Sequence, residues 1–353
     1  MNNYNIQNKN KQTLFFAGIQ FQKKFNRAGL VLPRTVKTVL NILAVYIVIL
    51  IFAAFSKKWI GAVGDSYMLP KLSDYHIYQG SMSILNPSSR FIPYQISSPL
   101  FSNYAEKQRL IFVPSGKKLS ALNNGLPVFP DGTILVKTFY YASDEHQNKQ
   151  IVETRLLHKI NGVWRAGTYL WNKEQNEATL QSGGASTKIA RMNKNGALLK
   201  FNYKLPSPSE CGKCHGSEEG ALPLGFKISN LNINIQNGEL NQLTYLNRLN
   251  ILNDLDQTKF SVFPNWRDSA TPINLKARAY LDLNCAHCHS PNGYCAGAGL
   301  DFRFTTPDHL TGIKGKENRI IRMVENGDMP YIGAATVHQE GLDILKKYLS
   351  NIK

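Results

Sequence analysis

The sequence predicts an α+β protein in three parts: an N-terminal transmembrane helix, a β-rich domain, and an all-α C-terminal domain. Three observations support this prediction. Residues 39–55 form an apolar run, β-branched and aromatic residues concentrate between residues 109 and 203, and apolar residues recur at helical spacing between residues 273 and 352. With 353 residues, the chain is long enough for two compact domains after the apolar run.

The apolar run, VLNILAVYIVILIFAAF, is just long enough with its flanks to span a bilayer, and we assign residues 38–57 to a transmembrane anchor. Seven Lys or Arg and no acidic residue precede it, so residues 1–37 are predicted to be a cytoplasmic basic leader. The alternative is a cleaved signal peptide ending near Ala53 and Ala54, but this leader is much longer than an ordinary n-region.

Residues 58–206 are predicted to form the β-rich domain. Runs at 109–114, 133–141 and 151–159 are rich in β-branched and aromatic residues and are bounded by Pro, Gly and Asn. Asn161-Gly162 lies between two apolar runs and is the strongest hairpin signal in the chain. The sequence thus predicts a β-hairpin centred on these two residues.

Residues 256–353 are predicted to be the all-α domain. Thr271 and Pro272 suit the start of a helix that runs to Cys285. Its apolar residues fall on one face, at Ile273, Ala277, Tyr280 and Leu281. A second helix is expected near residues 318–325 and a third over residues 341–352.

One pentapeptide pattern occurs twice, as Cys211-Gly212-Lys213-Cys214-His215 and as Cys285-Ala286-His287-Cys288-His289, and uses four of the five cysteines. Two thiols three positions apart can add across the vinyl groups of haem, with the following histidine under the iron. The pattern predicts two covalently attached haem c groups, with His215 and His289 as proximal ligands. The first would lie in a haem-binding segment, residues 207–255. Zinc or dithiol chemistry would also explain a Cys-x-x-Cys pair, but neither requires the histidine.

The sixth ligand of the second haem is predicted to be Met329, which precedes Pro330 in a loop after the second motif. In this feature residues 256–353 resemble a class I cytochrome c domain. No Met-Pro loop follows the first motif, so the first haem has either a vacant sixth site or a ligand from elsewhere. The open candidates are a lysine or one of His76, His146, His158, Met68, Met82, Met192, His287, His309 and His338.

Further segments resemble an uncharacterised bacterial family of exported di-haem proteins. They include Leu72-Ser73-Asp74-Tyr75, Phe129-Pro130-Asp131-Gly132-Thr133, Glu153-Thr154-Arg155-Leu156-Leu157, Pro264-Asn265-Trp266 and Gly299-Leu300-Asp301. The resemblance covers nearly everything after the anchor and implies association with parallel β-helix repeat proteins. Cys295 departs from the family pattern, and we assign it no function.

A weaker similarity concerns cytochromes whose haem is cross-linked to a lysine and which oxidise hydroxylamine. It is carried by the order of a β domain, a Phe-Pro-Asp-Gly-Thr segment, a Val-Lys strand and then a haem motif. The similarity implies a five-coordinate first haem and makes Lys137 the lysine to test. The alternative for Lys137 is a strand lysine on a solvated face.

Together the residues predict a membrane-anchored, extracytoplasmic di-haem c-type cytochrome that passes single electrons between a donor and an acceptor redox protein. The alternative is an oxidoreductase, or a gas or redox sensor, that uses a five-coordinate first haem as its small-molecule site. Haem of this kind is attached outside the bacterial cytoplasm. The expected localisation is therefore the bacterial inner membrane, single-pass, with a cytoplasmic N-terminus and the main body in the periplasm.

The net charge of +17 is consistent with acidic redox partners. No nucleic-acid motif accompanies the charge, so nucleic-acid binding is not expected. The sequence also lacks a G-x-S-x-G elbow, a phosphate loop and a dinucleotide fingerprint.

Overall fold

The computed structural model describes residues 67–142, 149–192, 198–216 and 222–352. All of them belong to one compact unit, Asp65–Lys353. Its centre is a six-stranded sheet in which each strand pairs antiparallel with the next one in the chain. The strands are β1 (Ile92–Pro93), β2 (Glu106–Phe112), β3 (Ile134–Ala142), β4 (Lys149–Ile160), β5 (Val163–Trp171) and β6 (Ala178–Leu180).

The hairpin predicted at Asn161-Gly162 is confirmed, and it joins β4 to β5. Ile160 pairs with Val163, so the loop has two residues. Both have positive φ, 53° at Asn161 and 79° at Gly162, as a type I′ turn requires. This turn fixes which residues of β4 and β5 share a face of the sheet.

The two faces of the sheet bury different parts of the chain. Leu110, Val136 and Leu156 face a core that includes Leu72 and Ile77, from the segment that precedes β1. Their neighbours Ile111, Leu135 and Leu157 face the opposite way, towards residues that follow the sheet in sequence, among them Phe226, Leu231, Leu243 and Leu246. The alternation of strand side chains thus places the sheet between early and late segments of the chain.

A separate hairpin leads from the sheet to the first Cys-x-x-Cys-His motif. Strands β7 (Ala185–Met192) and β8 (Leu198–Leu205) pair antiparallel along their whole length. Ile189 and Tyr203 of this hairpin pack with Phe139 of β3. The chain then enters helix α1 (Pro208–His215), which carries the motif.

The remaining elements are mostly helical. They are α2 (Ile228–Leu231), the short strands β9 (Asn234–Ile235) and β10 (Leu240–Asn241), and the helices α3 (Gln242–Arg248), α4 (Ile273–Asn284), α5 (Glu317–Glu325) and α6 (Gln339–Leu349). The helix predicted to run into Cys285 is confirmed as α4. Helices α4 and α6 pack closely at Gly341, where a Cβ would overlap the Tyr280 side chain.

The predicted fold class is wrong. The protein is a mixed α/β fold built around a large antiparallel sheet, and residues 256–353 are not an independent all-α cytochrome domain. The segment before β2 is hydrogen-bonded into them: the Ser98 hydroxyl donates to the Pro264 carbonyl at 2.6 Å, and the Phe101 N–H donates to Asn284 Oδ1 at 2.8 Å. Helical periodicity reports local structure and carries no information about such long-range bonds.

The prediction of a transmembrane helix also needs correction, and with it the predicted localisation as a single-pass inner-membrane protein with a periplasmic body. No helix within the described ranges is long and apolar enough to cross a membrane, so single-pass anchoring has no support in the structure. The segments assigned to the leader and the anchor, residues 1–37 and 38–57, lie outside the described residues.

Replacing Asn284 with Ala is expected to destabilise the fold by about 1–3 kcal/mol, because the buried Phe101 N–H then loses its acceptor. The Asn284 side chain is 6% exposed and also donates to the Tyr280 carbonyl at 2.9 Å. Denaturant unfolding monitored by circular dichroism measures the change. The control is Asn351→Ala on the exposed end of the chain, expected to change stability by less than about 0.5 kcal/mol. Equal effects of the two variants would contradict the proposed role of Asn284.

Candidate functional site: a cavity between the sheet and two Cys-His motifs

A cavity of about 290 Å³ lies between the sheet and both Cys-x-x-Cys-His motifs. One wall is the face of β3, β4 and β5 that bears Leu135, Leu157 and Thr168. The first motif contributes Cys211, Cys214 and His215, and the second contributes Ala286 and His287. Two motifs that are far apart in sequence therefore meet at one site.

Helix α1 presents the first motif to the cavity. Pro208 occupies its first turn, and Ser207 forms a capping box with Glu210: the Glu210 N–H donates to Ser207 Oγ at 3.3 Å, and the Ser207 N–H donates to Glu210 Oε2 at 2.9 Å. A helix fixed at this start places residues three and four apart on one face. Cys211, Cys214 and His215 consequently point the same way.

The His215 ring is oriented by a backbone carbonyl. Its Nδ1 lies 2.7 Å from the Leu222 oxygen, and because a carbonyl can only accept, Nδ1 carries the proton. Burial lowers the pKa of His215 to about 4, so the ring is neutral near pH 7. The lone pair is thus on Nε2, and this is the arrangement by which proteins prepare a histidine to bind a metal.

The second motif follows directly from the end of α4. The N–H groups of Cys288 and His289 both donate to the Cys285 carbonyl, at 3.1 and 2.8 Å, and continue the helical turn. Burial raises the pKa of the Cys285 thiol to about 12. The His289 ring meets Phe302 edge-on at 5.4 Å, and its buried Nδ1 has no hydrogen-bond partner among the described residues.

Thiols of the two motifs are neighbours. The ligand atoms of Cys214, His287 and Cys288 all lie within 4.8 Å of one another. The Cys288 thiol hydrogen-bonds to Cys214, which lowers the pKa of Cys214 and raises that of Cys288. Sequence reasoning named His287 only as a candidate ligand of the first haem and missed its position beside Cys214 and Cys288, because the motif carries no information about which thiols of the other motif lie nearby.

Met329, the predicted sixth ligand of the second haem, lies in the loop after α5. It is half-buried, and its N–H donates to the Met323 carbonyl at 2.9 Å. The next residue, Pro330, lines the cavity. Ligation by Met329 stays a prediction.

The candidates for a sixth ligand of the first haem occupy different places. Lys137 and His287 line the cavity. Met68, Met82 and His158 are on the opposite face of the sheet, and His338 is stacked on Phe101 at 4.1 Å. His76 and His309 are exposed. His146 lies outside the described residues, as does the Met192 side chain.

Arginines in the cavity wall are further residues that sequence reasoning missed. Arg109 of β2 and Arg155 of β4 line the cavity beside Lys137 of β3. The alternation of side chains along a strand could have revealed them, because these positions lie on the same face of the sheet once the pairing of the strands is known. Lys137 faces the cavity, in contrast to the solvated face considered for it from the sequence.

Comparison with known proteins found no matching family model, no matching curated protein and no matching solved structure. The resemblance to exported di-haem proteins therefore stays a prediction, and the geometry of the cavity carries the functional argument.

The residues of the two motifs fit covalently attached haem. Cys211 and Cys214 could form thioether bonds and His215 Nε2 could ligate iron, with Cys285, Cys288 and His289 in the same roles at the second motif. Leu135, Leu157 and Leu283 provide apolar walls. When bound, haem would supply one-electron redox chemistry at iron. The cluster of Cys214, His287 and Cys288 offers a competing fit, since two thiolates and an imidazole are also zinc ligands.

Alkylation of the denatured protein separates these two uses of the thiols. Haem thioethers would block four of the five cysteines and leave Cys295 alone reactive towards iodoacetamide. Peptide mass mapping counts the alkylated positions, and a Cys295→Ala variant serves as the control that should take up none. Alkylation of all five cysteines together with zinc in the native protein would favour the metal–thiolate site.

Proposed function

We propose that this chain is a di-haem c-type cytochrome that passes single electrons between a donor and an acceptor redox protein. The observation that carries the proposal is the meeting of both Cys-x-x-Cys-His motifs at one cavity, with Cys214 and Cys288 as neighbours. Haems attached at adjacent thiols would have adjacent edges. An electron arriving at one could then reach the other over a short distance.

The side chains around the motifs support a role in electron transfer. His215 is held neutral and oriented by the Leu222 carbonyl, so its Nε2 is available to iron without rearrangement. The wall residues Leu135, Leu157 and Leu283 add apolar surface beside the motif. Apolar contact with a haem would reduce the solvent reorganisation that accompanies each change of charge.

An exposed aromatic pair marks where a redox partner would dock. Tyr294 is 60% exposed and Tyr331 is 70% exposed. The Lys213 ammonium, inside the first motif, lies 5.2 Å from the centre of the Tyr294 ring and 5.6 Å from that of Tyr331. Exposed aromatic and cationic side chains this close to both motifs would form a suitable binding surface for an acidic redox protein.

A parallel β-helix repeat protein is a second proposed partner, on the basis of the family resemblance.

A second candidate function is an oxidoreductase, or a gas or redox sensor, with a small-molecule site at the first haem. It is favoured by the cavity next to His215, where His287, Lys137 and Lys227 are the described candidates that line the wall. If none of them ligates the iron, a small molecule could occupy that position. The first haem would then be five-coordinate while the second keeps six ligands.

Removing one Cys pair at a time is expected to halve the haem content. Cys211→Ala with Cys214→Ala should leave one haem per chain, as should Cys285→Ala with Cys288→Ala, because each pair anchors its own group. The measurement is the pyridine haemochrome absorbance per mole of protein. Cys295→Ala is the matched control and should retain two haems per chain. A wild-type protein without haem would contradict the proposed function.

Carbon monoxide separates the two candidate functions. Two six-coordinate haems would give a reduced spectrum that is unchanged by the gas, as expected of an electron carrier. A spectral change equivalent to one haem would instead assign the small-molecule site. If that site is at the first haem, Met329→Leu should raise the change to two haems, because the second haem then also lacks its sixth ligand. Loss of Met329 as a ligand should also lower the midpoint potential of the second haem, measured by spectroelectrochemical titration.

A further inference from the structure

We propose that Arg109, Lys137 and Arg155 form an oxyanion site in the wall of the cavity. Its ligand would be a carboxylate or a small inorganic oxyanion. All three side chains line the cavity between the sheet and the first motif. This site is inferred from the pairing of the strands and the charge of the three side chains. The site therefore does not depend on the proposed electron-transfer function.

The register of three antiparallel strands aligns these cations in one row. Arg109 of β2 pairs with Lys137 of β3, and Lys137 pairs with Arg155 of β4. Arg155 in turn pairs with Thr168 of β5. Residues directly opposite in antiparallel strands project on the same face with Cβ atoms about 5 Å apart. The row therefore directs two guanidinium groups, a lysine amine and a hydroxyl into the cavity.

Few carboxylates compensate this charge. Arg155 donates to the buried Glu153 at 2.5 Å, and Glu153 also accepts from Tyr203 at 2.6 Å. The acids that line the cavity have cations of their own: Glu210 pairs with Lys204 and Asp282 with Lys227. Among the described residues no carboxylate forms an ion pair with Arg109 or Lys137. The row keeps an excess of positive charge.

An aromatic ring holds the cations close to one another. The Lys137 ammonium lies 5.2 Å from the centre of the Phe139 ring, and the Arg155 guanidinium lies 4.7 Å from it. Lys107 approaches the same ring at 5.9 Å. Burial and the neighbouring cations lower the pKa of Lys137 well below its usual value. Like charges gathered at a partly dehydrated site repel, and a bound anion would relieve that repulsion.

The donors also suit the shape of an oxyanion. A guanidinium offers parallel N–H groups that match two oxygens of a carboxylate or oxyanion, and an ammonium adds a point charge with three donors. Thr168 at the end of the row and Cys211 both line the cavity, which places the row beside the first motif. An anion bound here would be next to whatever group Cys211 carries.

Two sources can supply this chemistry. One is a propionate of a haem attached at Cys211 and Cys214, and this source rests on the proposed function. The other is a free oxyanion that enters the cavity, and this source needs no haem. Lys137→Met tests both sources because it removes the central charge of the row while it keeps most of the side-chain volume.

The experiment uses the purified protein with its haem content counted. Calorimetric titration with sodium nitrite and with inorganic phosphate measures free-anion binding, and spectroelectrochemical titration gives the midpoint potentials. The matched control is Lys118→Met, in an exposed loop away from the cavity. Lys137→Arg keeps the charge and serves as a second control, and Arg109→Gln, at the end of the row, replaces Lys137→Met if that variant folds poorly.

Binding of either anion to the wild type, weakened about tenfold to hundredfold in Lys137→Met and unchanged in Lys118→Met, would assign a free oxyanion. A haem propionate would be assigned if the wild type binds neither anion and one haem has a lower midpoint potential in Lys137→Met but not in Lys118→Met. In either case Lys137→Arg should behave like the wild type. The proposal is overturned if the wild type binds neither anion and Lys137→Met leaves both potentials unchanged, or if the protein has no haem and binds neither anion.

Discussion

The meeting of the two Cys-x-x-Cys-His motifs depends on a buried polar network around residues 97–104. The Ser98 N–H donates to Asn230 Oδ1 at 2.9 Å, and the Phe101 N–H donates to Asn284 Oδ1 at 2.8 Å. Tyr104 donates to Glu340 at 3.0 Å, which ties the same segment to α6. Each buried donor needs its acceptor, so this network holds α4, and with it the second motif, close to the sheet and to helix α1, which carries the first motif.

The cavity results from that constraint. One wall is a strand surface whose register aligns Arg109, Lys137 and Arg155, and the opposite side is formed by the ends of α1 and α4. Neither the sheet nor the helices would enclose the site alone. The protein thus combines apolar side chains, an oriented histidine and an excess of positive charge beside the point where Cys214 and Cys288 of the two motifs meet.

Local features of the fold could be predicted from the sequence, but the long-range arrangement could not. Asn161-Gly162 specified its hairpin, because few residues tolerate positive φ at both turn positions. The apolar period from Ile273 identified α4. The predicted all-α domain was wrong because hydrogen bonds such as that from Phe101 to Asn284 join residues far apart in sequence. The proximity of His287 to Cys214, and the row of cations, likewise depend on tertiary register.

The intact mass of the purified, denatured chain distinguishes haem attachment from metal binding, because thioether bonds survive denaturation and metal–thiolate bonds do not. Two covalently attached haems predict a chain heavier than its amino-acid sequence by two haem groups. A chain with the mass of the unmodified polypeptide would contradict the account, and bound zinc in the native protein would then assign Cys214, His287 and Cys288 to a metal site.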